Sequence, residues 1–444
     1  MPTARELIDS SSIGRLQIRV ILLCALAAMA EGYDILSISL AVLPITDDWG
    51  ISGTESGLLF SAGLVGMAVG SIALGPVGDR YGRRPLLIGS LVVITVGMAL
   101  SAVAGDVTQL ALLRLLTGLG MGGIIPSLPV IVSEFSPTRK RPTFIAMFGT
   151  GIPLGGLLGG AAAAMLLNHY SWHSVFWLGA VLTGVIALVA YLSIPESPDY
   201  LESKGTESAR TRLDELIRKM NLQPAATRAA APAAAPSGAG TAALKSWAIV
   251  ITCLVFFLVN SIYFFGNSWT PKLLTLAGLS QGEGISGALL FSLGGVIGNL
   301  IFAVLAIRFT AMWVACGFAL GGSALFCFMS LISTQLGPVL VSTALLGVCL
   351  MATFTGLYVM VPVLFRPEAR VSAMGIAAGL GRVGSIATPM VVGWLVDANW
   401  ATSSIFMVFV IPAALAALGI GYAQVRNNRT VATAGDSDKI LASA

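Results

Sequence analysis

Charge is what this sequence most lacks. Asp, Glu, Lys and Arg make up 10% of the 444 residues, while 56% are hydrophobic. Soluble domains carry about 25% charged residues. A water-facing surface over this length of chain would be starved of charge, which excludes a soluble enzyme and a nucleic-acid binder. Histidine is nearly absent. His169 and His173 flank a single loop, and the five cysteines (Cys24, Cys253, Cys316, Cys327, Cys349) have no metal-ligand spacing. All five cysteines lie in apolar stretches, so packing is their expected role and a disulfide framework is not expected. The first 18 residues lack the apolar core and small-residue cleavage site of a signal peptide. What the chain does have is apolar runs of about 20 residues, each long enough to cross a hydrocarbon layer about 30 Å thick.

Twelve such runs are expected at 19–45, 54–77, 84–104, 107–133, 142–167, 172–194, 247–274, 283–307, 310–332, 335–365, 371–396 and 401–424. The reading is therefore an all-α polytopic membrane protein in which residues 19–194 and 247–425 form two six-helix halves. Residues 1–18 and 426–444 form tails, and 195–246 a connecting loop. With these spans, 22 of the 25 Lys and Arg residues fall on one side; only Lys272 sits at an opposite-side loop, at the end of its span, and Arg114 and Arg382 lie well inside spans. By the positive-inside rule, both tails and the long loop face the cytoplasm. Within that loop, 199–220 is expected to be helical with Leu201, Leu213, Leu216, Ile217 and Met220 on one stripe. Residues 223–244, rich in Ala and Pro, are expected to be disordered linker.

The halves read as repeats. RPTFIAMFGTGIPLGG from Arg141 aligns with RVSAMGIAAGLGRVGS from Arg370 when one residue is allowed as an insertion. Gly149 and Gly151 then match Gly379 and Gly381, and Ile152 matches Arg382. Arg114-x-x-x-Gly118 likewise matches Thr343-x-x-x-Gly347. Repeated halves with a ligand site near the midplane are a recurrent transporter plan, and the 51 glycines suit close helix contact in lipid. The two places where an arginine breaks the repeat are where function is expected.

Four ionisable residues lie well inside spans: Glu31, Asp34, Arg114 and Arg382. Each costs about 2.5–3.5 kcal/mol at a helix centre and normally faces a cavity or a partner. Glu31 and Asp34 share a helix face. Asp34 lies about 23 Å from the basic end of its span and Arg114 about 9 Å from the opposite end of its own, so the two reach comparable depth and can pair. Two carboxylates in low dielectric resist ionisation, whereas a neighbouring guanidinium favours it. A group balanced between those terms can load and release a proton, and Glu31, Asp34 and Arg114 are therefore the proton-coupling candidates. Simple neutralisation of Arg114 by one acid is the alternative.

Arg382, about 17 Å along the eleventh span, has no acid well inside any span of its own half. Its planar fork suits a carboxylate, and a substrate anion is the expected partner. Tyr263, Asn267 and Trp269 on the seventh span, with Phe354 and Tyr358 on the tenth, could line a pocket for a ring-bearing ligand. The loop GPVGDRYGRR places Gly75, Asp79, Arg80, Gly82, Arg83 and Arg84 between the second and third spans. With Glu134 and Arg141 nearby, charge contacts made in one conformation and broken in another would form a cytoplasmic latch.

These motifs resemble the major facilitator superfamily. GxxxDRxGRR is similar to its loop motif, Arg114-x-x-x-Gly118-x-Gly120-x-Gly122 to its fourth-helix motif in proton-linked members, and PESPDYL (Pro195 to Leu201) to the end of its sixth helix. Within it, EGYD (Glu31 to Asp34) and the Gly-x-Gly-Arg around Arg382 resemble the aromatic acid:proton symporters. The resemblance implies the major facilitator fold, alternating access and import of a benzoate- or hydroxybenzoate-type carboxylate across a bacterial inner membrane. It also implies no cofactor beyond the coupling proton, and a monomer. Two departures matter: Glu31 stands where Asp is usual, and the second-half loop AIRFTAMW (306–313) lacks the Asp and glycines, leaving only Arg308 for a latch. PESP also resembles sugar porters, so transport of another organic anion or a polyol is a second reading, and a drug-exporting antiporter a third.

Overall fold

The computed structural model describes residues 4–10, 13–220, 246–332, 335–365 and 367–442. The described residues form helices joined by short turns. They run α1 (Ala4–Ser10), α2 (Arg15–Trp49), α3 (Gly53–Tyr81), α4 (Arg83–Ser101), α5 (Val107–Glu134), α6 (Arg141–Leu167), α7 (His173–Ser193), α8 (Pro198–Lys204) and α9 (Glu207–Lys219). After the connecting loop come α10 (Ser246–Leu276), α11 (Gln281–Arg308), α12 (Ala311–Ile332), α13 (Leu336–Leu364), α14 (Pro367–Asp397) and α15 (Thr402–Ala442). Twelve of them, α2 to α7 and α10 to α15, are long and apolar enough to cross a membrane, and each coincides with one expected span. Large apolar side chains such as Ile72, Leu192 and Ile307 are 78%, 71% and 84% exposed. Water would not tolerate that surface; lipid does.

Turn chemistry sets the helix ends. Gly50 takes a left-handed φ of 63° and stops α2. Asp106 accepts from the Gln109 N–H to start α5, and Ser280 with Glu283 forms a capping box on α11.

The chain divides into two units, Met1–Ile51 with Leu58–Ala234, and Ser52–Gly57 with Ala235–Ala444. Inside the first, α2 packs on α6, and α4 on α5 and α7; inside the second, α10 packs on α14, and α12 on α13 and α15. The pairing order is the same in both, as the repeat predicts. Glycine makes the tightest crossings possible. A Cβ on Gly118 would overlap the Gly63 carbonyl oxygen, and one on Gly347 would overlap that of Phe291. The matched motifs therefore do the same packing work in the two units, joining α5 to α3 and α13 to α11. Gly32, inside EGYD, meets the Ile152 backbone in the same way, and Gly155 meets Met29. That contact fixes α2 against α6.

Three expectations for the basic side need adjusting. The first 18 residues are not simply a tail, because α1 buries Ala4, Leu7 and Ile8 and Arg5 donates to the carbonyls of Ser133, Glu134 and Ser136 at the end of α5. Carbonyls left over at a helix end attract a cation. Second, the helix expected over 199–220 is two helices broken at Gly205, where φ is +63°, with Leu201, Leu216 and Met220 buried. Third, α15 runs past the last span to Ala442, through what was expected to be a tail. The expected linker at 223–244 lies outside the described residues.

Gly32→Val should cost about 3 kcal/mol or more by overpacking and abolish a monodisperse size-exclusion peak in detergent. Gly149→Ala, at a position with nothing within 4 Å of the added carbon, should elute like the unsubstituted chain.

Candidate functional site

In the first unit, helix packing brings Asp34 and Arg114 together. The Arg114 Nη1 lies 2.9 Å from Asp34 Oδ1, and the two residues are 2% and 8% exposed. Arg114 Nη2 donates to Ser101 Oγ at 2.9 Å, Thr117 Oγ1 at 3.0 Å and Met98 Sδ at 3.0 Å. Both hydroxyls spend their own protons on the preceding helical turn, Ser101 on the Gly97 carbonyl and Thr117 on that of Leu113. Their lone pairs are thereby left for the guanidinium. The Phe176 ring closes the cage, its centroid 4.8 Å from Arg114 Cζ. Arg114 Nε is buried without a partner. Glu31 is buried too, at 7% exposure one turn before Asp34, but the hydrogen bonds of Arg114 go to Asp34 and the α4 and α5 side chains. Tyr33 anchors the same helix through its hydroxyl, which donates to the Val175 carbonyl at 2.5 Å.

In the second unit, Tyr263, Phe354 and Tyr358 form one strip of rings. Tyr263 and Phe354 centroids are 4.9 Å apart, and Phe354 and Tyr358 are 5.9 Å apart. Beside them Thr355 donates to Asn299 Oδ1 at 2.5 Å, a polar pair that sequence reasoning missed. An Asn among apolar residues on the neighbouring α11 was the available signal. Asn267 is 7% exposed, and its Nδ2 has no hydrogen-bond partner. Trp269 is fully buried and stands apart from the strip, 6.0 Å from Lys272 Nζ. Lys272, one turn before the end of α10 as its expected span allows, is 4% exposed and donates to Ser56 Oγ at 2.5 Å. Arg382 is half-buried on α14. Its neighbour Gly381 approaches Asn260 and the Phe256 carbonyl of α10, as matched Gly151 approaches Ala25 of α2.

At the basic end of the first unit, Gly82 takes a φ of +111°, which permits the tight turn between α3 and α4. The N-terminus of α4 is occupied by a residue not anticipated there: Glu196 accepts from the Arg84 N–H at 3.1 Å and crowds Gly82. Arg84 also donates to the Tyr191 carbonyl at 2.8 Å. Arg83 lies against Gly78, Arg80 is exposed, and the Tyr200 hydroxyl donates to the Arg80 carbonyl. Glu134 is 7% exposed and takes a hydrogen bond from Ser197. Arg141 pairs with Asp9 of α1 at 3.5 Å, a partner the expected latch did not include. Asp199, exposed at the start of α8, sits close to this network; desolvation by the atoms around it raises its carboxyl above the usual range, while Arg5 pulls it down. Gly75 faces open space, and the Asp79 side chain lies outside the described residues.

The sequence model of the Major Facilitator Superfamily matches residues 21–339 and 288–439. The chain belongs to that superfamily. It is accordingly a multi-pass membrane transporter, not an enzyme. It is similar to a gallate transporter of Pseudomonas putida, with 27% identity over 95% of this chain and 96% of the relative. It is also similar to the 4-hydroxybenzoate transporter PcaK of Pseudomonas aeruginosa, with 29% identity over 93% and 94%. Among solved structures, the inward-open xylose transporter XylE from E. coli matches with a TM-score of 0.72 at 17% identity, covering 90% of this chain and 95% of that one. At that identity the likeness shows the fold alone.

Removing one member of a buried ion pair strands the other charge, at a cost of about 3–5 kcal/mol. Arg114→Gln should therefore destabilise the protein by that order in a denaturant titration. Asp34→Asn with Arg114→Gln should lose much less, and a double-mutant cycle measures the difference.

Proposed function

We propose that the chain is a proton-coupled symporter that imports a small aromatic carboxylate of the benzoate or hydroxybenzoate type. It works by alternating access in a bacterial inner membrane, as a monomer with both termini cytoplasmic. The observation that carries the reading is the Asp34–Arg114 pair, two opposite charges held in a bundle that lipid surrounds. A carboxylate with one strong partner can be neutralised by a proton, which frees the guanidinium and changes what the helix contacts. That is the requirement for coupling. Similarity to transporters named for gallate and 4-hydroxybenzoate along nine tenths of the chain supports the substrate class, since both ligands join one carboxylate to a hydroxylated ring.

The second unit supplies groups that suit such a ligand. Arg382 would take the carboxylate through its planar fork. The Tyr263, Phe354 and Tyr358 rings would take the aromatic face, and the unpartnered amide of Asn267 would bond a ring hydroxyl. Glu31 is the second acid available to the proton. The basic-end contacts of Arg80, Arg83, Arg84, Glu134 and Arg141, with Gly75, Asp79 and Gly82, would hold one conformation and release in the other. One proton with one monoanion moves no net charge, so only the pH gradient drives it; a second proton on the paired acid would add about 2.3 kcal/mol per 100 mV.

Cells expressing the chain should accumulate labelled 4-hydroxybenzoate on acidification of the medium, and a protonophore should stop it; accumulation that persists undiminished without a proton gradient removes symport. Asp34→Asn should stop concentrative uptake yet spare exchange of internal for external substrate. Arg382→Ala should weaken carboxylate binding by about tenfold or more, the equivalent of one charge-assisted bond, and Arg382→Lys by less. Wild-type binding in both Arg382 variants would misplace the anion site.

A further inference from the structure

One cluster in the second unit takes no part in the proposed transport. Trp247 lies in the first turn of α10, and Tyr422 and Arg426 lie one turn apart near the end of the membrane-crossing part of α15. The Arg426 Cζ sits 4.5 Å from the Trp247 ring centroid and 5.8 Å from that of Tyr422. Its Nη1 donates to the Tyr422 hydroxyl oxygen at 2.7 Å. The two rings meet edge to face, 6.5 Å apart at 89°. These residues, with Val250, line an open groove of about 560 Å³. A second groove of about 350 Å³ shares Val250 and continues along α10 past Leu254 and Phe257, with Leu380 of α14 on its wall.

Positions 250, 254 and 257 follow the helical repeat, so the apolar wall runs about 10 Å from the rings along the helix axis. Val250 is 64% exposed, Leu254 47% and Tyr422 49%, on helices whose outer surface meets lipid. A cationic and aromatic head therefore sits over an apolar trough, at the end of the bundle where Lys and Arg concentrate. Trp, Tyr and Arg at that level belong to the headgroup region. The guanidinium stacks through its face, whereas an anion is held through its edge, so the two contacts are compatible. The Tyr422 oxygen accepts from Arg426, and its own O–H can donate to a phosphate oxygen.

We propose that this is a binding site for an anionic phospholipid of the basic-side leaflet, with the phosphate on Arg426 and Tyr422, the headgroup against Trp247, and one acyl chain in the α10 groove. Charge complementarity selects the ligand: that leaflet is the anionic one by the positive-inside rule. A soluble phosphate would use the head alone and leave the trough empty.

The full chain, reconstituted in phosphatidylcholine vesicles, is exposed to a trace of phosphatidylglycerol carrying a photoactivatable acyl chain, and labelled peptides are read by mass spectrometry. Label is expected on residues 250–257. Arg426→Gln should lower it about fivefold, the factor for one cation at an anionic surface. Val250→Trp, which fills the groove without changing charge, should lower it as well, while Arg210→Gln on the exposed face of α9 should not. Excess glycerol 3-phosphate should fail to compete. Both test positions are exposed, and unchanged elution of each variant verifies folding. Equal labelling of Arg426→Gln and wild type, equal labelling by the phosphatidylcholine analogue, or full competition by glycerol 3-phosphate would each overturn the proposal. None of these outcomes depends on which solute the chain transports.

Discussion

The cost of a charge in hydrocarbon governs how this molecule is built. Arg114 and Asp34 would each be penalised by about 2.5–3.5 kcal/mol alone at a helix centre. Together they form an ion pair at 2.9 Å whose remaining demands fall on Ser101, Thr117 and Met98. Three helices are therefore committed to one guanidinium: α2 supplies the acid, α4 two acceptors, and α5 the arginine with its own threonine. A pair this enclosed is weak evidence for stability, because replacing both charges by apolar residues is often neutral or better. The proposed coupling gives a reason to keep it: one member of the pair would be neutralised in each cycle.

Close backbone approach is what permits that commitment. Hydrophobic burial does not drive helices together in lipid, so packing and small residues must. Gly118 of α5 against α3, Gly155 and Gly32 between α6 and α2, and Gly347 of α13 against α11 each sit where any side chain would strike a carbonyl. The EGYD motif is thus two devices in four residues. Its glycine seats α2 on α6, its tyrosine ties α2 to α7 through Val175, and the acids flanking these anchors are held at fixed depth. The proposed proton coupling would need a fixed geometry, and the backbone provides one.

Much of this was legible in the sequence. Twelve spans, the repeat, and the pairing of Asp34 with Arg114 follow from apolar run length, glycine spacing and a depth of about 1.5 Å per residue, all of which depend on one coordinate along the chain. What was not legible depends on where separate segments meet. Nothing in ARELIDS marks Arg5 as a cap for α5 or Asp9 as the partner of Arg141, since both contacts join positions more than 125 residues apart. Glu196 lies in a recognised motif, yet its place at the α4 N-terminus depends on how α8 folds back. Lys272 stands at a span's end, where charge usually lies, but its partner Ser56 is 216 positions away and is not legible. A lysine that reaches a serine hydroxyl can stay inside the helix. Trp269 shares a helix with Tyr263, but six positions place it well along the axis from the ring strip.

The two units show how one scaffold divides its chemistry. Thr343 stands where the repeat has Arg114, and its hydroxyl bonds back to the Val339 carbonyl, so no acid is needed opposite it. Gly347 still makes the crossing that Gly118 makes. The packing frame is thus independent of the buried pair, and a charge can be present in one unit and absent from the other without altering helix order. At other positions the second unit carries rings and amides, with Asn299 bonded to Thr355 and Asn267 unpartnered through Nδ2. Neutral amides discriminate a ligand's donors and acceptors, whereas a carboxylate–guanidinium pair responds to protons. Keeping those two kinds of group on separate, identically packed frames lets either change without disturbing the other.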